Sequence, residues 1–158
     1  MQVIIYSDGS SRGNPGPGGF GTILHYEDPN GKIHTMEITK GYEMTTNNRM
    51  ELLGVISGFE ALNRPCEVKV VSDSQYVIKA FTEHWVDNWQ KSGWKRKGGA
   101  VLNVDLWKRL LEAMKPHKVS FEWVKGHAGH PENERCDELA TGSAMGENLL
   151  IDEGFSPN

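Results

Sequence analysis

The stretch VIIYSD (3–8) and its echo VKVVSD (68–73) decide how this chain folds. Each is a short β-branched, apolar run that stops at Ser-Asp and is followed by small, turn-forming residues, as a buried strand and its exit would be. Laid side by side and parallel, the two strands end level. Neighbouring strands lie about 4.8 Å apart, so the carboxylates of Asp8 and Asp73 converge at one sheet edge. Two bare carboxylates that close repel unless a proton or a cation stands between them. A divalent metal answers that need, since Mg²⁺ takes a few carboxylate oxygens and fills its remaining positions with water or phosphate. The plainer alternative is that each Asp caps the turn or helix after it.

Around this pair the chain reads as an ordered series. Residues 2–7 are a buried strand. GNPGPGGFG (13–21) looks like punctuation, too rich in Gly and Pro for a regular element. Strands follow at 20–27 and 33–40, joined by an Asp28-Pro29-Asn30-Gly31 turn, so the first three strands form a meander. Leu52, Val55, Ile56 and Phe59 at i, i+3, i+4, i+7 predict a helix from about Asn47 to Leu62. After the strand at 67–72, short helices are expected at 75–81 and 83–90. A longer one opens at Asn103 and ends before Pro116, and a fifth strand covers 118–124. The last helix opens at Pro131, with Glu132 and Glu134 in its first turn. The order βββαβαααβα predicts a mixed α/β (α+β) fold, a five-stranded sheet whose first, fourth and fifth strands run parallel through right-handed crossovers. A ligand then belongs outside the carboxyl ends of those strands, where Asp8 and Asp73 sit.

At 158 residues the chain suits one domain with a proper core. Its 37% hydrophobic and 24% charged residues are the balance of a soluble globular protein. No charged-plus-apolar leader and no apolar run near 18 residues appears, so a cytoplasmic protein with no membrane partner is expected. Cys66 and Cys136 lack CxxC spacing and read as reduced thiols. The net charge of −4 hides an uneven distribution. From Asn88 to Val104 there is no acid, while Lys91, Lys95, Arg96 and Lys97 cluster with Trp89 and Trp94. The tail from Gly146 to Asn158 carries Glu147, Asp152 and Glu153 and no Lys or Arg. It is expected to be disordered.

Two more acids belong with the first pair. Glu51 borders the apolar stripe of its helix, although Asn48 with Glu51 also fits a capping box. Asp137 lies among Cys136, Leu139 and Ala140, an odd place for a lone charge. The segments YSDGS (6–10), GNPGPGGFG (13–21), TTNNRMEL (45–52), VSDSQYV (71–77), NVDLW (103–107) and WVKGHAGHPENERCDELA (123–140) together resemble type 1 ribonuclease H, in family order and over residues 1 to about 145. The resemblance implies a ribonuclease H-like catalytic domain over 1–145 with strand order 3-2-1-4-5. It implies that Asp8, Glu51, Asp73 and Asp137 ligate two Mg²⁺ ions, for which Mn²⁺ can substitute. Such a pair clamps an in-line displacement at phosphorus. The implied reaction is endonucleolytic hydrolysis of the RNA strand of RNA–DNA hybrids without sequence specificity, leaving 5′-phosphate and 3′-hydroxyl ends, by a monomeric enzyme.

The resemblance further implies that His127 assists proton movement and product release. It points to Asn14, Asn47, Asn48 and Gln75 as amide contacts to the hybrid, able to read the 2′-hydroxyl that tells RNA from DNA. Thr46 and Asn47 match a pocket for a DNA-strand phosphate. Lys91, Lys95, Arg96 and Lys97 match a protruding basic handle, an acid-free run suited to backbone phosphates. Trp89 reads as packing, and Trp85 is counted with the nucleic-acid contacts. His127, His130 and Cys136 lack a fourth ligand and the spacing of a zinc site. GNPGPGGFG opens no helix, so it is no nucleotide fingerprint. A strand transferase or junction resolvase on this fold would share the acids without the amide-rich motifs. A non-catalytic hybrid-binding module would have lost a carboxylate.

Overall fold

The computed structural model describes residues 1–126 and 130–156. Its main sheet has five strands: β1 (Gln2–Ser11), β2 (Gly16–Glu27), β3 (Ile33–Thr45), β4 (Glu67–Ser72) and β7 (Lys118–Trp123). They lie in the order β3-β2-β1-β4-β7. The meander is antiparallel, and β1–β4 and β4–β7 are parallel. This is the expected 3-2-1-4-5 arrangement of the five large strands. A two-residue ribbon, β5 (Lys95–Arg96) and β6 (Gly99–Ala100), stands apart from it and was not foreseen.

Alternation along β1 and β4 sends Val3, Ile5, Val68 and Val70 into a core with α1 (Asn47–Glu60) and α4 (Val104–Met114). Trp107, Phe20, Phe59, Ile5, Met50, Leu52, Ile56, Ile78 and Leu110 are its largest fully buried apolar side chains. Tyr76 joins α2 (Gln75–Thr82) to α4, its hydroxyl accepting from Trp107 Nε1 and Asn103 Nδ2 at 3.1 Å each. Asn103 does sit at the N-cap of α4, but its side chain is engaged by Tyr76 and Arg49 and makes no capping bond. The short α3 (Trp85–Lys91) leads into the ribbon.

The glycine-rich stretch corrects the reading of 13–21 as punctuation: β2 begins at Gly16 and runs through it. Gly19 and Gly21 are there for the neighbour, α5 (Pro131–Ala144), which crosses this part of the sheet. A Cβ on Gly21 would collide with the Cys136 carbonyl and come within 2.6 Å of Leu139 Cβ. One on Gly19 would lie 2.6 Å from the Ala140 carbonyl. Bare backbone lets α5 sit directly on the strand, a strand glycine's use where another backbone approaches closely.

The acidic tail is the second correction. The segment expected to be disordered lies against the body: Leu150 N donates to Gly41 O and accepts Glu43 N at its own carbonyl, both at 2.8 Å. Asp152 is buried and takes two hydrogen bonds from the buried Arg49, Nε to Oδ2 at 2.7 Å and Nη2 to Oδ1 at 2.9 Å. Thr45 Oγ1 donates to the same carboxylate at 2.7 Å. A buried guanidinium needs counter-charge, and the tail supplies half of it. Asp105 supplies the other half with a second forked pair, at 2.9 and 2.7 Å.

Candidate active site

Strand register sets the first two acids. Ser7 of β1 is level with Ser72 of β4, so Asp8 and Asp73 fall side by side where the parallel pairing ends; Asp73 follows β4, but the expected stop at Asp8 does not occur, since β1 runs on beside β2 to Ser11. They line one pocket with Asp137, Glu134, Asn133, His130 and Lys125. Asp137 comes from the second turn of α5, which the glycines of β2 let approach. The Trp123 indole donates to the Asp73 carbonyl at 3.0 Å, tying the end of β7 to that of β4. Gly126 keeps space open there, since a Cβ would lie 2.8 Å from Asp73 Oδ2.

Glu51 reaches the site through Gly9. A Cβ on Gly9 would overlap the Glu51 backbone N–H, so the residue after Asp8 must be bare for α1 to press against β1. The N-cap of α1 is Thr46, whose hydroxyl accepts from Arg49 N at 3.3 Å; the Asn48–Glu51 capping box does not form. The Glu51 carboxylate instead accepts from the Ser74 hydroxyl, which also caps α2 through Val77 N. The pocket therefore gathers Asp8, Asp73 and Asp137, with Glu51 beside it.

The electrostatics are those of crowded acids. Burial, then the charge of Asp73, pushes the Asp8 carboxyl up to about 8, and the neighbouring Asp137 adds to the rise. Burial and Asp73 push Glu51 up to about 7, against the Ser74 hydrogen bond. Such shifts favour the protonated form until a cation takes the proton's place. Hard carboxylate oxygens around a gap of about 10 Å³ suit a small divalent ion with its water. Among the described residues, no three His, Cys, Asp or Glu side chains stand in a ready ligating array. His127 lies outside the described residues.

The amide residues ring the same edge. Asn47 Oδ1 accepts from Ser11 N at 2.7 Å and from its hydroxyl at 3.1 Å, and Asn14 Oδ1 accepts from Asn47 N at 3.2 Å. The start of α1 is thereby stitched to the end of β1 and the loop after it. Asn14, Asn47, Asn48 and Gln75 are exposed, and Thr46 is half-buried at the cap. Lys91, Lys95, Arg96 and Lys97 are all exposed on and before the β5–β6 ribbon, where Gly98 turns with φ 95°. Among the described residues none of the four is ion-paired. Trp85 is half-buried against Trp89, which also meets Trp94 and Trp107. Ser74, Lys125 and Asn133 were not singled out from sequence, and His130 and Glu134 entered only as a rejected zinc ligand and a first-turn acid. Only Asn133 carried a usable signal, standing four residues before Asp137 on one helix face.

The pattern of known families agrees with this geometry. The RNase H family profile matches residues 1–145. The Ribonuclease H of Lachnoclostridium phytofermentans is 62% identical over 154 residues, covering 96% of this chain and 98% of the relative. That of Tolumonas auensis is 50% identical over 155 residues, covering 98% and 97%. Among solved structures, LC9-RNase H1, a type 1 RNase H with the type 2 active-site motif, matches with a TM-score of 0.83 at 39% identity, covering 90% of this chain and 72% of that one. With profile, relatives and fold in agreement over the residues that build the acidic edge, this chain belongs to the RNase H family.

Proposed function

We propose that this protein hydrolyses the RNA strand of RNA–DNA hybrids endonucleolytically and without sequence specificity, leaving 5′-phosphate and 3′-hydroxyl ends. The observation that carries the reading is the level placement of Asp8 and Asp73, each just past the last β1–β4 pair, in a pocket shared with Asp137. Asp8, Glu51, Asp73 and Asp137 would hold two Mg²⁺ ions, with Mn²⁺ as a substitute. When bound, such a pair activates water and stabilises the leaving 3′-oxygen.

The chain's own residues do the rest. Asp8 and Glu51 would give up their protons on binding the cations, so binding would tighten as pH rises towards their raised values. Ser74 holds Glu51 in place through its hydroxyl. Asn14, Asn47, Asn48 and Gln75 offer amides along the RNA minor groove, and Thr46 with Asn47 takes a DNA-strand phosphate. Lys91, Lys95, Arg96 and Lys97 meet phosphates beyond the scissile one, with Trp85 at the base of the handle. His127 assists proton movement and product release. The reading takes residues 1–145 as the catalytic domain of a cytoplasmic monomer. No helix among the described residues is long and apolar enough to cross a membrane.

A gel assay on matched hybrid, duplex RNA and duplex DNA, with Mg²⁺ and with chelator, tests it. Cleavage confined to the RNA of the hybrid and abolished by chelator is expected. Equal cutting of duplex DNA would overturn the assignment.

A further inference from the structure

Asn133 stands out among polar side chains at this edge. Both its Oδ1 and its Nδ2 are buried, yet among the described residues neither atom has a hydrogen-bond partner. It lines the carboxylate pocket from the first turn of α5, one helical turn before Asp137. Burying both ends of an amide unpaired works against folding. A structural role would show partners, as the other amides here do: Asn47 holds Ser11, Asn14 holds Asn47, and Asn103 holds Tyr76. The missing partners therefore point to groups that arrive with the substrate.

We propose that Asn133 is a catalytic residue that holds the two reactants together, donating from Nδ2 to a non-bridging oxygen of the scissile phosphate and accepting at Oδ1 a hydrogen of the attacking water. A phosphate oxygen can only accept, so it satisfies Nδ2 and not Oδ1. A carboxylate of the pocket is likewise an acceptor when ionised. Water donating to Oδ1 completes the pair and turns its lone pair towards phosphorus. In the step itself the water oxygen forms a bond to phosphorus as the bond from phosphorus to the 3′-oxygen breaks. One water proton passes to solvent and the departing 3′-oxygen takes one up, with no change in oxidation state. Both contacts exist only with substrate in place, so they act on turnover and contribute nothing to the stability of the free protein.

The inference rests on the hydrolytic reading above, and the test separates the two. Asn133→Leu, close in shape but without hydrogen-bonding atoms, and the smaller Asn133→Ala are melted in chelator and assayed on hybrid with Mg²⁺, beside the unaltered protein. In chelator the Tm of the Leu variant should equal or exceed that of the unaltered protein. On hybrid, kcat should fall about tenfold to a hundredfold in both variants with KM within about twofold, the loss of one or two hydrogen bonds to charged or reacting groups. Melting temperatures that drop in both variants while kcat per folded molecule holds would overturn the proposal and make Asn133 structural. If the unaltered protein cleaves hybrid and both variants match it, Asn133 alone is wrong. If the unaltered protein leaves the hybrid intact, the hydrolytic reading falls, and this inference with it.

Discussion

Asp152→Ala should cost this protein more stability than any exposed charge change. The Arg49 guanidinium is only 2% exposed and the Asp152 side chain 4%. The substitution removes two hydrogen bonds from Arg49 and the acceptor of the Thr45 hydroxyl, leaving a buried cation with Asp105 as its only carboxylate partner. Breaking a buried pair from one side typically costs about 3–5 kcal/mol, because the remaining charge stays desolvated. For a chain this long each kcal/mol lowers Tm by about 2–4 °C, so a fall of about 6–20 °C is expected. Thermal melts in chelator read it, with Glu60→Ala as the control. Glu60 pairs with Arg109 through an equally good fork, 2.7 and 2.8 Å, but both side chains are 41–50% exposed. That pair is worth about 1 kcal/mol or less. The same network sets an acid limit. Hydrogen bonds from Arg49 hold the Asp105 carboxyl below its usual 3.8. Its contribution is therefore complete above pH 3.8 and lost as pH falls through the lower folded value. Half-exposure of Asp105 keeps that contribution small. Should Asp152→Ala melt within about 2 °C of the Glu60→Ala control, the tail would not be the counter-charge of Arg49.

Three further outcomes are expected. Asp8→Asn should abolish cleavage yet raise Tm in chelator. Because the Asp8 carboxyl is raised from 3.8 to about 8, metal-free stability falls as pH climbs between those values. The gain in Tm should therefore be larger at pH 7.5 than at pH 5, and an equal gain at both would refute the repulsion argument. Gly21→Ala forces a methyl group into the Cys136 carbonyl; a loss of about 1–3 kcal/mol by urea titration, with a drop in kcat as Asp137 shifts, should follow. Converting Lys95, Arg96 and Lys97 to Ala should raise KM, leave kcat nearly unchanged and flatten the salt dependence by about two to three log–log units if all three touch phosphate. A fall in kcat at unchanged KM and slope would place the ribbon in the chemistry instead.

What was readable in the sequence was mostly what neighbouring residues determine. VIIYSD and VKVVSD announced two strands and their common edge because β-branching and alternation act locally, and the handedness of crossovers did the rest; the stop at Asp8 was misread, since β2 keeps β1 paired to Ser11. The Gly-Pro stretch was misjudged because glycine in a string signals a turn, while the reason for Gly19 and Gly21 lies in a helix more than a hundred residues further on. The tail was misjudged in the same way: three acids without a nearby cation look solvated, yet Asp152 has its cation 103 residues upstream. Asn133 carried no reading of its own in the sequence. Only its unpaired burial beside Asp8, Asp73 and Asp137 distinguishes it.

The distance along the chain between Arg49 and Asp152 has a consequence for synthesis. During translation, at about 5–20 residues per second, α1 emerges many seconds before its second counter-ion is made. Until then the guanidinium has Asp105 at best, and closing the core over it would strand half its donors. The nascent chain should therefore linger as a loosely closed intermediate, with the start of α1 still wet, and lock only when residues 149–155 arrive. A stalled chain ending before Leu149 would be open to protease near Arg49, while one that includes Asp152 would resist. A charge made a hundred residues later is the one that lets the first helix stay buried.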